Sequence, residues 1–127
     1  MSHSFGNPSY QKLCESHRSL VERQLRRLGA GKKPRSVYEP VRHVLTSGGK
    51  RLRSVLVLLA CGAVGGTNAD AIHAAVAVEI LHNFTLVHDD VMDNADVRRG
   101  RPTVHTQWDA NTAILAGDEL VALAYRS

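Results

Sequence analysis

Apolar residues recur along the chain at the three-to-four-residue spacing of helices, in blocks separated by segments that carry glycine or proline. Over residues 9–28, Leu13, Leu20, Leu25 and Leu28 stand among charged residues, which predicts an amphipathic helix ended by Gly29 and Gly31. The polar stretch GKKPRS reads as a linker. SVYEPVRHVLTSGGK then carries Val37, Val41, Val44 and Leu45 at helical spacing, and predicts a second helix that closes at the glycine pair. A third element begins near Lys50. Its body, RLRSVLVLLACGAV, has the β-branched content of a strand, but its length and its place among helices favour a helix. Residues 69–93 contain neither Gly nor Pro and are apolar almost all round, as expected of a long helix in the middle of a bundle. After a loop through Arg101 and Pro102, residues 109–126 predict a last helix with Ala113, Ile114, Leu120, Leu123 and Ala124 facing inward. Neither repeats nor paired strands are legible, so the expected fold class is all-α, a helical bundle in one domain.

Composition changes this picture little. A chain of 127 residues, 43% hydrophobic, can bury a core of its own. Cys14 and Cys61 match no paired metal-ligand or redox spacing and read as free thiols, which implies a reducing, cytoplasmic setting. The first residues, MSHSFGNPSYQ, lack a basic region followed by an apolar one, and the run from Val55 to Val64 is too short to cross a bilayer, so a soluble protein with no transmembrane segment is expected.

Charge is more informative. The net charge is +4, and six of the sixteen basic residues fall in two groups, Lys50, Arg51, Arg53 and Arg98, Arg99, Arg101. Such clustering suits an anionic ligand, either nucleic acid or a phosphorylated small molecule. Stacking on bases is disfavoured by the small aromatic complement of one Trp, three Tyr and two Phe.

The acids sit at the end of the long apolar block, in LVHDDVMDNADVRRG. Taking His82 as the origin, a helix places Asp89 at about −20°, Asp90 at about 80° and Asp93 at about 20°, so one face carries a histidine and, two turns later, three carboxylates. Two carboxylates about 5 Å apart repel by roughly 3 kcal/mol at an effective dielectric of 20. An acidic cluster at a helix C-terminus also opposes the macrodipole, which argues against a merely solvated helix end. Oxygen-only ligands on successive turns suit a hard divalent cation, Mg²⁺ above all, shared with a substrate phosphate. Zinc is disfavoured, because His82 and His88 point to different faces. SGGKRLR adds glycine amides at a helix start with Lys50, Arg51 and Arg53 supplying charge, although the spacing is not that of a Walker loop. Arg98 and Arg99 follow Asp93 closely enough to return to the same phosphate. His43, His73 and His105 carry no functional reading.

GGKRLR, EILH, LVHDDVMDNADVRRGRPTVH and AILAGDELVALAY, in this order, resemble the N-terminal part of the trans-isoprenyl (polyprenyl) diphosphate synthases over residues 35–126. The resemblance implies that Asp89, Asp90 and Asp93 form the family's first aspartate-rich motif, holding Mg²⁺ against an allylic diphosphate. It further implies that Lys50, Arg53, His82 and Arg99 grip isopentenyl diphosphate and that Arg98 serves the allylic one. Departure of pyrophosphate would leave an allylic cation for the isopentenyl double bond to attack, with no protein nucleophile required. Phe84, five positions before the first aspartate, is implied as a chain-length ruler for products of about geranylgeranyl length, with farnesyl next.

Three departures from the family pattern stand out. Ser54 replaces the usual proline after GGKRLR and is expected to loosen a helix start slightly. No two-residue insertion separates Asp90 from Asp93, unlike the typical bacterial farnesyl enzymes. Family members run to more than twice this length and carry a second aspartate-rich motif, so the chain reads as a partial domain. Little condensation activity alone and self-association as a homo-oligomer, through exposed helix faces or exchanged helices, are the corresponding expectations. The rival reading is a non-catalytic subunit or fragment that binds diphosphate or a full-length synthase. A phosphohydrolase, prompted by the His88–Asp89 pair, or a nucleic-acid binder leaves the glycine and arginine motifs unexplained.

Overall fold

The computed structural model describes residues 8–127, which form a bundle of helices and one short ribbon. In chain order these are α1 (Pro8–Gly29), α2 (Arg35–Leu45), α3 (Leu52–Ala63), α4 (Asn68–Met92), β1 (Val97–Arg98), β2 (Arg101–Pro102), α5 (Val104–Gln107) and α6 (Ala110–Arg126). The all-α class therefore holds. The expected helices are present, and α5 and the ribbon are additions that periodicity did not reveal.

α4 organises the rest. A capping box between Thr67 and Asp70 starts it, and it packs most extensively on α6 and α3. Its inner positions Ala71, Ala75, Val76, Ile80 and Val87 meet Ala113, Ala116, Leu120 and Leu123 of α6, Leu58 of α3 and Val41, Val44 and Leu45 of α2 in a common core. Gly117 lets α6 approach: a β-carbon there would strike the His88 imidazole. By length and composition alone α4 would cross a membrane. It nevertheless buries Glu79, Asn83 and Asp90, polar groups that require partners within the bundle.

Several sequence expectations are corrected by register. On α1 the buried stripe is His17, Val21, Leu25 and Gly29, with Leu13 exposed and Leu20 and Leu28 half-buried. Ile114 points outward, while Ala113, Leu120, Leu123 and Ala124 face the core as expected. α4 is covered on one side only: Leu81 and Met92 are exposed, the latter at 74%.

Arg51 requires the largest correction. Its expected role was to offer charge to an anion, but its side chain has no exposed surface. Nε donates to Glu22 Oε1 at 2.6 Å, Nη1 to Glu79 Oε1 at 3.1 Å and Nη2 to the Leu45 carbonyl at 3.1 Å. The backbone is left-handed there (φ 54°), which turns the chain from the glycine pair into α3 and directs the guanidinium inward. Ser54, expected to loosen the helix, is fully buried and donates its hydroxyl to Glu79 Oε2 at 2.8 Å. One arginine and one serine thus satisfy a buried carboxylate and join α1, α3 and α4.

Candidate diphosphate and metal site

The C-terminal half of α4 faces two glycine-bearing turns. The first, between α2 and α3, has Gly48 and Gly49 at φ 81° and 124°. A β-carbon on Gly49 would lie 2.9 Å from the Arg99 guanidinium carbon, so glycine there permits close approach as well as the backbone turn. The second is the ribbon turn Arg99–Gly100, where φ is 54° and 74°. Two consecutive positive φ values match the twist of a two-residue hairpin loop. β1 and β2 pair antiparallel, Val97 opposite Pro102 and Arg98 opposite Arg101.

The ribbon's arginines reach different elements. Arg98 grips Asp90 of α4 with both arms of its fork, at 2.8 and 2.7 Å. Arg99 extends across to the first turn, donating to the Gly48 carbonyl at 2.6 Å and, more weakly, to Ser47 Oγ at 3.3 Å and Asn83 Oδ1 at 3.4 Å. Asn83 is buried and donates its amide to the Glu79 carbonyl at 2.8 Å. Arg53 Nη1 donates to His82 Nε2 at 3.2 Å, which leaves the His82 proton on Nδ1. Burial first, and the Arg53 charge second, hold His82 below the ordinary imidazole range. Burial likewise lowers Arg99, followed by the nearby Arg51 charge, whereas the hydrogen bonds to Asp90 raise Arg98. Lys50 is exposed beside the turn, and no side chain caps the start of α3.

Of the residues singled out from the sequence, Lys50, Arg53, His82 and Arg99 therefore gather around the α2–α3 turn, and Arg98 meets Asp90. Arg51 does not join them. Asp89 and Asp93 lie exposed on successive turns. Asp93 ends the helix, its amide bonded to the Asp89 carbonyl at 2.8 Å. Among the described residues no three acidic, histidine or cysteine side chains converge on a single point, because Asp90 turns inward to its arginine. Phe84 is half-buried and meets His88 edge-on, ring centroids 4.8 Å apart. A pocket with room for a water or two (≈ 30 Å³) lies between α2, α4 and the ribbon, lined in part by Ser47, Asn83, Asp90, Arg98 and Arg99. Sequence reasoning overlooked Asn83 and Ser47. An amide inside an otherwise apolar helical run was the available signal for Asn83.

A helical bundle whose long central helix ends in aspartates, facing a glycine turn and a twin-arginine turn, has the all-α architecture of the isoprenoid synthases. The chain belongs to the polyprenyl synthetase family, whose pattern matches residues 34–127. It is 47% identical over 114 residues to a geranylgeranyl pyrophosphate synthase of Geoglobus acetivorans, covering 90% of this chain and 36% of that one. With the geranylgeranyl diphosphate synthase of Saccharolobus solfataricus it shares 55% identity over 85 residues, covering 67% of this chain and 26% of the relative. The solved geranylgeranyl pyrophosphate synthetase from Geoglobus acetivorans superposes with a TM-score of 0.86 at 47% identity, covering 90% of this chain and 37% of that one. The synthetase from Pyrococcus horikoshii gives 0.84 at 45% identity, covering 93% and 37%. The chain thus spans about a third of the length of its relatives.

Proposed function

We propose that the chain carries the diphosphate-binding part of a trans-isoprenyl diphosphate synthase, a Mg²⁺-dependent prenyltransferase that joins isopentenyl diphosphate to an allylic diphosphate. The observation that carries this reading is the meeting of three segments distant in sequence: residues 47–53, His82–Asn83 and the Arg99–Gly100 turn. Lys50, Arg53 and Arg99 would hold one diphosphate, and Arg98 would share itself between Asp90 and the other. Asp89 and Asp93 suit Mg²⁺, which commonly takes one or two carboxylates and completes its shell with water and phosphate oxygens. Bound there, the ion would supply Lewis-acid stabilisation of departing pyrophosphate. Product length of about geranylgeranyl size is supported by the names of the relatives; the ruler role of Phe84 rests on the family resemblance. Exposed Leu52, Leu56 and Leu115 support self-association, which light scattering tests.

Calorimetry with inorganic pyrophosphate tests the reading directly. Mg²⁺-dependent binding is the expected result, and absence of heat at millimolar pyrophosphate, with and without Mg²⁺, overturns it. Turnover of labelled isopentenyl diphosphate by the 127-residue chain then separates a synthase from a module that binds without condensing.

A further inference from the structure

Neither His43 nor Arg101 has a part in the proposed diphosphate and metal site, yet both line the pocket that holds Asp90, Arg98 and Arg99. His43 sits on α2, one turn before the glycine pair, and its ring engages both residues of β2. Arg101 Nη2 donates to His43 Nδ1 at 2.9 Å, and His43 Nε2 lies 2.9 Å from the Pro102 carbonyl oxygen. Arg101 Nη1 adds a longer bond to the His43 carbonyl at 3.4 Å. Trp108 closes the other side, edge-on, with centroids 5.3 Å apart. An arginine only donates and a carbonyl only accepts, so the two ring bonds require a neutral imidazole with its proton on Nε2.

The ribbon needs such an anchor. Two strands of two residues do not hold themselves together in water, and their turn places Arg99 in a left-handed conformation that a residue with a β-carbon adopts only at a cost. β2 is the ladder partner of β1, with Arg101 opposite Arg98. Whatever fixes β2 therefore fixes the origin of both functional arginines. We propose that His43 is a positioning residue: it clamps β2 to α2, through Arg101 and Pro102, so that the ribbon presents Arg98 and Arg99 to the pocket. Its effect on binding rests on the diphosphate reading given above; its effect on the ribbon does not.

Two measurements on the 127-residue chain decide this. Nitrogen-15 NMR of the wild-type imidazole should show His43 neutral and protonated on Nε2, and the Nε–H signal of Arg98, bonded to Asp90, should exchange slowly with solvent. His43→Phe keeps a ring against Trp108 but loses both bonds. It should speed arginine N–H exchange and weaken inorganic pyrophosphate binding, each by about fivefold, with helical circular dichroism unchanged. His43→Gln, which restores one acceptor and one donor, should recover both to within about twofold of wild type. A wild-type ring protonated on Nδ1, or unchanged arginine exchange in His43→Phe, overturns the clamp. Should pyrophosphate fail to bind the wild-type chain, the functional reading falls, while the tautomer and the exchange rates still decide the clamp.

Discussion

Arg51→Met tests the internal ion network and, with it, the removal of Arg51 from the site. The substitution keeps most of the side-chain volume but withdraws three donors from a place without solvent. Glu79, 2% exposed, would keep only the Ser54 hydroxyl, whereas Glu22 is partly solvated and recovers water. Breaking one member of a buried pair typically costs about 3–5 kcal/mol, a large share of the roughly 5–15 kcal/mol that stabilises a domain. Urea denaturation followed by circular dichroism should register this loss, and the thermal midpoint should fall by roughly 10–20 °C. Arg51→Met combined with Glu79→Met removes the stranded carboxylate as well and should return to within about 1 kcal/mol of the wild type, giving a coupling of at least about 2 kcal/mol. The double variant should bind pyrophosphate as the wild type does, while Lys50→Ala binds more weakly. A single variant that costs less than about 1 kcal/mol, or two substitutions whose effects simply add, refutes the network. Loss of pyrophosphate affinity in a folded double variant would restore Arg51 to the site.

Gly117→Ala forces a methyl group into the His88 ring and should destabilise by about 1–3 kcal/mol through overpacking; an unchanged urea midpoint contradicts the close α4–α6 approach. Asp89→Asn with Asp93→Asn alters exposed positions, so the melting temperature should move by no more than about 2 °C, while pyrophosphate binding should lose its Mg²⁺ dependence in calorimetry. Persistence of that dependence would remove these two aspartates as metal ligands. His82 titrates below its ordinary value of about 6.5, so below that pH the unfolded chain binds more protons than the folded one. The stability carried by its neutral form is complete above about pH 6.5 and is lost as pH falls through the depressed folded value. Urea midpoints between about pH 7.5 and 5 should therefore drop less steeply in His82→Gln, and parallel slopes would refute the assignment.

Much of this architecture was legible because helices advertise themselves by period. α2 and α6 each carry an apolar stripe that recurs where a helix returns to one face, and α4 is too long and too free of glycine to be a strand. The stripe of α1 is only partly legible: Leu25 belongs to the buried face, whereas His17 and Gly29, which period alone does not single out, complete it. The ribbon was invisible for a different reason. Its strands are too short to show alternation, and Arg-Gly occupies the turn where Asn-Gly is the recognisable signal. At the site, motif spacing identified the acids and bases but not their direction. Lys50, Arg51 and Arg53 are indistinguishable as letters, yet a left-handed backbone at Arg51 sends its side chain to Glu22 and Glu79 while its neighbours stay at the surface. The inward turn of Asp90 likewise depends on an arginine eight residues later, across a reversal of the chain.

The bridge from Glu22 to Arg51 also bears on where the folding unit begins. The family pattern starts at residue 34, after α1 has ended, and would invite a shorter piece cut at that boundary. Such a piece would forfeit Val21 and Leu25, both wholly enclosed, and would open to water a guanidinium nitrogen that Glu22 now occupies. The boundary of the family pattern and the cooperative boundary therefore do not coincide: the first helix, although outside that pattern, is a structural member of the domain whose chemistry lies beyond it.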